Sequence, residues 1–282
     1  MKRKTIIILS ACAVLLIAFV WWVLWANTAP EVTEYTVTSE KLPQAFSGFK
    51  IAQISDLHNA EFGNENCKLL DMLRDAKPDM IVLTGDLIDS RRTDVEIAVN
   101  FAREALKIAP VYFITGNHEA GALSDYHRMA DQLYESGVVI LQNNSIPIER
   151  NGDSIVLVGL DDPAFFGVAD EKIDEVLAEA LTNLTNESSF EIVLEHRPQY
   201  FETYAESDAD LILTGHVHGG QFRLPFFGGL YAPSQGLFPK YDAGVFAENG
   251  VTMIISRGLG NSRFPIRFNN RPEIVIVELV SK

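Results

Sequence analysis

Cysteine is almost missing: Cys12 sits inside a long apolar run and Cys67 in a stretch that reads as helix, so no disulfide framework can be drawn. Stability must come from a buried core. Basic residues are scarce as well, with 23 lysines and arginines against 38 acids and a formal charge of −15. That balance excludes the basic face a nucleic-acid partner needs. It would also repel an anionic phosphate substrate unless fixed cations reversed the field locally, as two divalent metals would. No internal repeat or low-complexity tract occurs.

What is present begins with an apolar run from Ile6 to Ala26, broken only by Ser10, which as a helix spans roughly 32 Å and so crosses a bilayer's hydrocarbon. Residues 5–26 are read as a transmembrane anchor and 1–4 as a cytoplasmic tail. The positive cluster Met1-Lys2-Arg3-Lys4 stays inside, and everything after Ala26 emerges outside the cytoplasm. Trp21, Trp22 and Trp25 fall where an interfacial aromatic belt belongs. The competing reading is a cleavable secretory signal with Ala26 at the cut. The stretch is long for a signal and Trp25 suits a signal peptidase poorly. The basic cluster lacks an Arg-Arg pair, which points to export as an unfolded chain.

Residues 27–48 are polar, carry Pro30 and Pro43, and are expected to link the anchor to a single domain over 49–282. In that domain Lys50–Ile54, Met80–Leu83 and Val111–Ile114 read as strands alternating with helices over Asn64–Ala76 and Thr93–Ile108. This is a βαβαβ pattern and implies parallel sheet. Further strands are expected at Val138–Leu141, Ile155–Gly159, Ile192–Leu194, Leu211–Leu213, Val251–Ile255 and Ile274–Leu279, with helices at Ala169–Leu181 and Gln199–Ala205. An α/β fold of two stacked sheets with helices outside accommodates both halves.

Chemistry-bearing residues recur where apolar strands end: Asp56-Leu57-His58, Gly85-Asp86-Leu87-Ile88-Asp89, Gly116-Asn117-His118-Glu119, then His196, then Gly215-His216-Val217-His218. The carboxyl ends of strands are where ligand-binding loops of α/β sheets collect, so five distant clusters can converge. Five of the six histidines fall in them. Carboxylate, amide and imidazole donors without thiolate suit Mn, Fe or Zn at a hydrolytic centre. Asp-x-His alone is a weak signal, Gly-Asp-x-x-Asp alone could be a turn and helix cap, and His196 alone a structural histidine. His127 is given no role.

The ordered set Asp-x-His, Gly-Asp-x-x-Asp, Gly-Asn-His-Glu, His and Gly-His-x-His resembles the calcineurin-like metallophosphoesterase superfamily from Asp56 to His218. Gly219-Gly220-Gln221-Phe222-Arg223-Leu224-Pro225 and Ser256-Arg257-Gly258-Leu259-Gly260 look like its bacterial membrane-anchored phosphodiesterase branch. Thr115 stands where protein Ser/Thr phosphatases carry arginine, which disfavours that activity. The resemblance implies a four-layer α/β/β/α sandwich and two divalent metal ions. Asp56, His58 and His218 would hold one, Asn117, His196 and His216 the other, and Asp86 both. His118 would face the leaving oxygen with Asp89 orienting its ring.

Arg257, Arg223 and Asp162 are candidate substrate contacts. The apolar stretch Leu224–Leu230 is read first as core and, if exposed, as a rim suited to a lipid-linked substrate. The implied function is a phosphodiesterase at the outer face of the cytoplasmic membrane acting through a hydroxide activated by two metals, on lipid-linked or envelope-derived phosphate esters. Phosphomonoesterase or nucleotide-sugar or lipid pyrophosphatase activity on the same fold is the alternative, and a non-catalytic metal-binding scaffold is the alternative of another class.

Overall fold

Short runs of β-branched and large apolar residues, each closed by a glycine or a polar turn, form the strands of the computed structural model, which describes residues 3–282. Met1 and Lys2 of the expected tail lie outside the described residues. The chain opens with α1 (Arg3–Thr28), long and apolar enough to cross a membrane. It continues through β1 (Glu31–Ser39), β2 (Phe49–Ile54), α2 (Cys67–Ala76), β3 (Met80–Thr84), α3 (Val95–Ala105), β4 (Val111–Ile114), α4 (Asn117–Gly121), α5 (Leu123–Ser136) and β5 (Val139–Ile140). The second half comprises β6 (Asn144–Arg150), β7 (Asp153–Gly159), α6 (Ile173–Leu184), β8 (Glu191–Leu194), α7 (Phe201–Tyr204) and β9 (Leu211–Thr214). Two small hairpins follow, β10 (Arg223–Leu224) with β11 (Gly228–Gly229) and β12 (Tyr231–Ala232) with β13 (Gly236–Leu237), before β14 (Gly244–Glu248), β15 (Val251–Ile255) and β16 (Glu273–Ser281).

The first sheet runs β1-β16-β2-β3-β4-β5 and the second β14-β15-β9-β8-β7-β6, each mixing parallel and antiparallel pairs. Strands buried on both faces read as near-continuous apolar runs, which is why β3, β8 and β9 stood out in the sequence. Val82 and Val275 of the first sheet meet Leu157, Ile192 and Leu213 of the second in a dry core between them. Outside the first sheet, Leu69, Val99 and Leu133 anchor α2, α3 and α5, and outside the second, Leu177, Leu181 and Phe201 anchor α6 and α7. Each such fully buried side chain contributes about 1.5–3 kcal/mol. Helix, sheet, sheet, helix is the expected layering.

Several boundaries differ from expectation, most helix ends by a few residues and the following places by more. Residues 31–39, expected as linker, form an edge strand paired in parallel with β16 from Glu31↔Glu273 to Ser39↔Ser281, so the domain begins at Glu31. Glu-Val-Thr-Glu-Tyr-Thr-Val-Thr-Ser has no apolar run because an edge strand buries little, here chiefly Val37. β6 was not foreseen, since Pro147 argues against a strand; it is tolerated because β6 is the sheet's edge. The helix expected from Ala169 instead starts at Ile173, after a 3₁₀ turn over Asp170–Lys172.

β8 begins on a buried acid. Glu191 receives Asn186 Nδ2 at 2.7 Å, but its second oxygen has no partner. Burial, then the charge of Asp210, pushes its pKa from 4.5 to about 7, against the pull of Asn186. A carboxyl whose folded pKa lies above the unfolded value binds its proton more tightly when folded, so stability falls as pH rises from 4.5 to about 7 and is flat above. Glu191→Gln is expected to remove that slope, making the variant more stable than the parent by on the order of 1–2 kcal/mol at pH 7.5 and equal to it near pH 4.5. Thermal unfolding at both pH values measures the difference.

Candidate metal centre

The expected ligands do come together. Asp56 and His58 follow β2, Asp86 follows β3, Asn117 opens α4 after β4, His196 follows β8, and His216 and His218 follow β9. The first three loops rise from one sheet and the last two from the other, at the edge where the two sheets' parallel strands end. His58 Nε2 lies 3.5 Å from Asp86 Oδ2 and 3.7 Å from Asp56 Oδ1, and His218 Nε2 lies 3.5 Å from Asp56 Oδ1. His196 Nε2 lies 3.3 Å from the same Asp86 Oδ2, and 3.2 Å from His216 Nδ1. Three overlapping donor groups form among the described residues, Asp56–His58–His218, Asp86–His196–His216 and His58–Asp86–His118, and the Asp86 oxygen lies within 3.5 Å of both His58 and His196.

Backbone strain marks the same residues. Asp56, His58, Asp86, His216 and His218 all have positive φ, from 47° to 69°, a region that side-chain-bearing residues avoid. Such conformations persist where surrounding bonds over-determine them. The Asp56 amide donates to Gly85 O at 3.0 Å and the His58 amide to Asp86 O at 3.0 Å, stitching the first two loops together. Gly116 and Gly215 are needed for close approach. A Cβ on Gly116 would strike the Asp86 side chain, and one on Gly215 would strike Ser55 and Asp56.

The donor set fits cations. His58 and His218 point ring nitrogens at each other 3.2 Å apart, and Asn117 Oδ1 is buried without a partner. Burial holds His216 far below the usual imidazole range and His218 down to about 3, so both are neutral, the form that ligates. Asp56 is held low although burial alone would raise it, because the histidines around it, His218 first, favour its charge. Thr84 O lies 2.8 Å from His196 Nδ1, so that nitrogen donates there and Nε2 faces Asp86. Burial would lower this imidazole's pKa, but the charge of Asp86 outweighs it and holds the ring well above its usual range; a cation bound between them would take the place of the Nε2 proton. At His218 the neighbour is Arg267 Nη2, 3.1 Å from Nδ1. A guanidinium only donates, so this contact puts the ring proton on Nε2; ligation through Nε2 requires it to cross to Nδ1 and Arg267 to fall back on Gly260 O, which it already bonds.

His118 lies beside the centre, its ring 4.5 Å from that of His58. The Ser90 amide donates to its Nδ1 at 3.0 Å, which leaves the proton on Nε2, facing Ser262 Oγ at 3.1 Å. Burial, outweighing the charge of Asp86, lowers its pKa, so the ring is neutral and Nε2–H is a donor. Asp89 was expected to make the orienting bond. Its nearest oxygen is 3.8 Å from Nδ1; it is occupied instead by the Arg91 amide at 2.9 Å and Arg92 Nη2 at 3.3 Å, and so shapes the turn that presents Ser90.

The three expected substrate contacts lie elsewhere. Arg257 pairs with Glu273 and, at 2.8 Å, with Glu31; Arg223 pairs with Asp242 at 2.9 Å. Asp162 receives Arg197 through two bonds of 2.7 Å and caps a 3₁₀ turn. The cavity above the centre, about 380 Å³, has Arg91 and Arg263 at its wall, with Tyr231, Pro233 and Phe264 opposite its polar floor. Neither arginine was singled out, though Ser-Arg-Arg directly after Asp89 was a visible signal.

Glu119, quoted in its motif but given no role, proves central. It is fully buried and accepts the amides of Asp86 and Gly116 at 2.8 Å through one oxygen and those of Leu87 and Ile88 at 2.8 and 3.3 Å through the other. Burial and the charge of Asp86 push its pKa to about 7, while those amides pull it back. Only the carboxylate form can satisfy four donors at once. It fixes the loop that carries Asp86.

The chain is similar to several known proteins. The model of the calcineurin-like phosphoesterase family matches residues 49–220. The metallophosphoesterase YkuE of Bacillus subtilis (strain 168) is 31% identical over 261 residues, 89% of this chain and 86% of the relative. Phosphodiesterase YaeI of Escherichia coli (strain K12) is 30% identical over 246 residues, 82% of each. A transmembrane protein with metallophosphoesterase domain from Danio rerio is 28% identical over 286 residues, 98% of this chain and 63% of the relative.

Proposed function

We propose, from the premise that the chain belongs to the calcineurin-like phosphoesterase family, that this phosphoric ester hydrolase is a phosphodiesterase anchored by α1 at the outer face of the cytoplasmic membrane. The observation that carries the reading is the pair of donor groups sharing Asp86, on the floor of a cavity beside a neutral His118.

Asp56, His58 and His218 would hold one divalent ion and Asn117, His196 and His216 a second, with Asp86 within reach of both. When bound, the two ions supply positive charge to the phosphoryl oxygens and an acidified water as nucleophile. Glu119 holds Asp86 in its strained conformation through four amides. His118 would donate a hydrogen bond from Nε2–H to the departing oxygen and so stabilise the charge that develops there, with Ser90 fixing the tautomer and Ser262 holding the donor until substrate arrives. Arg91 and Arg263 offset the chain's negative charge at the cavity wall.

A diester is favoured over a monoester because the cavity lining adds the apolar surface of Tyr231, Pro233 and Phe264 to its charged residues, which gives a second ester substituent a place to lie. The name of YaeI points the same way. Arg3 and Lys4 at the start of α1 support a cytoplasmic N-terminus. The test uses the detergent-purified full chain with Mn²⁺. The kcat/KM on bis(p-nitrophenyl) phosphate is expected to exceed that on p-nitrophenyl phosphate by about tenfold or more, and a chelator to abolish both. A monoester preference would replace the diesterase reading, and turnover unaffected by chelation would end the two-ion reading.

A further inference from the structure

Phe268, a residue of the catalytic domain, packs its ring 6.1 Å from that of Phe19 and edge-on at 5.6 Å from that of Trp22, both in α1. At 1.5 Å per residue, Phe19 lies about 10 Å inside the apolar run that ends at Ala26. When α1 spans a bilayer, a domain residue that reaches Phe19 is submerged to that depth. Asn27 fastens the contact. Its Oδ1 accepts the Arg267 amide at 2.7 Å and its Nδ2 donates to the Arg267 carbonyl at 2.9 Å, as a neighbouring strand would.

The surface around that point is apolar and bare. Phe264 and Ile266 are 41% and 43% exposed, Leu237 and Phe238 68% and 55%, and Phe226 and Phe227 at the β10–β11 turn 104% and 72%. The expectation that Leu224–Leu230 is core therefore fails at its two phenylalanines. These residues form one connected set. Phe222 bridges to Phe268 in the backbone and meets Phe264 ring to ring at 6.4 Å; the β10–β11 turn continues from it, and Phe227 meets Phe238 at 6.5 Å. The Arg271 guanidinium lies 5.1 Å over the Trp25 ring but is paired with Glu31 at 2.7 Å, so Arg263, exposed on the same segment, is the cation placed where lipid phosphates lie although the chain as a whole is acidic. Phe264 and Tyr231 also line the cavity, so this apolar edge is the cavity's own lip.

We propose that the β10–β11 and β12–β13 hairpins and residues 264–266 form a second membrane contact, with bilayer lipids as its occupant. The cavity thus opens onto the headgroup layer and takes a phosphodiester whose apolar tail stays in the membrane. The inference rests on the anchored phosphodiesterase reading above.

The first arm places a nitroxide at Phe226→Cys or Phe238→Cys in a full chain carrying Cys12→Ala and Cys67→Ser, reconstituted in discs of phosphatidylcholine and phosphatidylglycerol. Lys107→Cys is the reference, because Lys107 lies past the end of α3, just before β4, at the sheet edge opposite the centre. Oxygen is expected to reach the labels at 226 and 238 better than a water-soluble nickel chelate, with the reverse at 107. A water-like pattern at 226 and 238 in a chain that has entered the disc overturns the inference alone. A chain that does not enter the disc overturns the anchored reading beneath it.

The second arm compares two substrates with one leaving group, soluble bis(p-nitrophenyl) phosphate and dioleoylphosphatidyl-p-nitrophenol in vesicles. Phe226→Ser/Phe227→Ser/Phe238→Ser is expected to keep the soluble rate within twofold and to lose at least tenfold on the vesicle substrate. Equal losses on both, or no loss on either, would overturn the inference. A parent chain that turns over neither would overturn the diesterase reading itself.

Discussion

Asp86→Ala is expected to leave fewer than one tightly bound divalent ion per chain and to reduce kcat/KM on a diester by at least about a thousandfold. Its Oδ2 stands 3.5 Å from His58 Nε2 and 3.3 Å from His196 Nε2, so one deletion removes a donor from both groups and the negative charge they share. Its Oδ1 also accepts the His118 amide at 2.7 Å, so the start of α4 loses a tether. Asp86→Asn separates the two contributions, since it keeps an acceptor for that amide but not the charge. Both variants are expected to lose metal; with parent and variants all stripped of metal, the unfolding temperature is expected to be unchanged for Asn and lower for Ala. Metal content by mass spectrometry beside a melting curve gives the answer, and two ions retained in the alanine variant would refute the shared role of Asp86.

His118→Ala is expected to keep both ions and to lose activity in proportion to how much help the leaving group needs. The backbone amide that bonds Asp86 survives the substitution, so the loop is not released. What disappears is the Nε2–H that Ser90 holds in place through Nδ1. A hydrogen bond aimed at charge developing on the leaving oxygen contributes about 10²–10³ in rate. A p-nitrophenolate departs with little assistance and an alkoxide does not, so the loss should approach the upper value for an alkyl diester and shrink to about tenfold for the nitrophenyl one. Equal losses across leaving groups would mean that the ring acts on the phosphoryl centre instead. Loss of metal would make His118 a ligand, a role its position within 4.8 Å of the His58 and Asp86 donor atoms permits geometrically.

The two stacked sheets were legible in the sequence because their central strands are buried on both faces and announce themselves as apolar runs, each ending in a polar cluster. Edge strands carry no such mark, which is why β1 was taken for linker and β6 passed over. The gathering of Asp56, Asp86, Asn117, His196, His216 and His218 was legible for the same reason as the central strands, since a strand's end fixes where its loop begins. Glu119 and Arg267 could not be placed from sequence, because their partners are backbone groups and a ring on other loops. The arginines show the same limit from the other side. Arg257 and Arg223 lie near glycine-rich turns and looked available, but Glu273, Glu31 and Asp242 claim them.

The strand order of the first sheet also dictates when the domain can become whole. β16, last of the described elements, lies in space between β1 and β2, two of the earliest. Until it arrives, β1 has no neighbour to pair with, and the segment that directly follows α1 hangs beside an incomplete sheet. Pairings that join the two ends of a chain are slow to form. A nascent chain that has made βαβαβ and every ligand loop is therefore still open along one flank, and β16, synthesised after all of them, closes it.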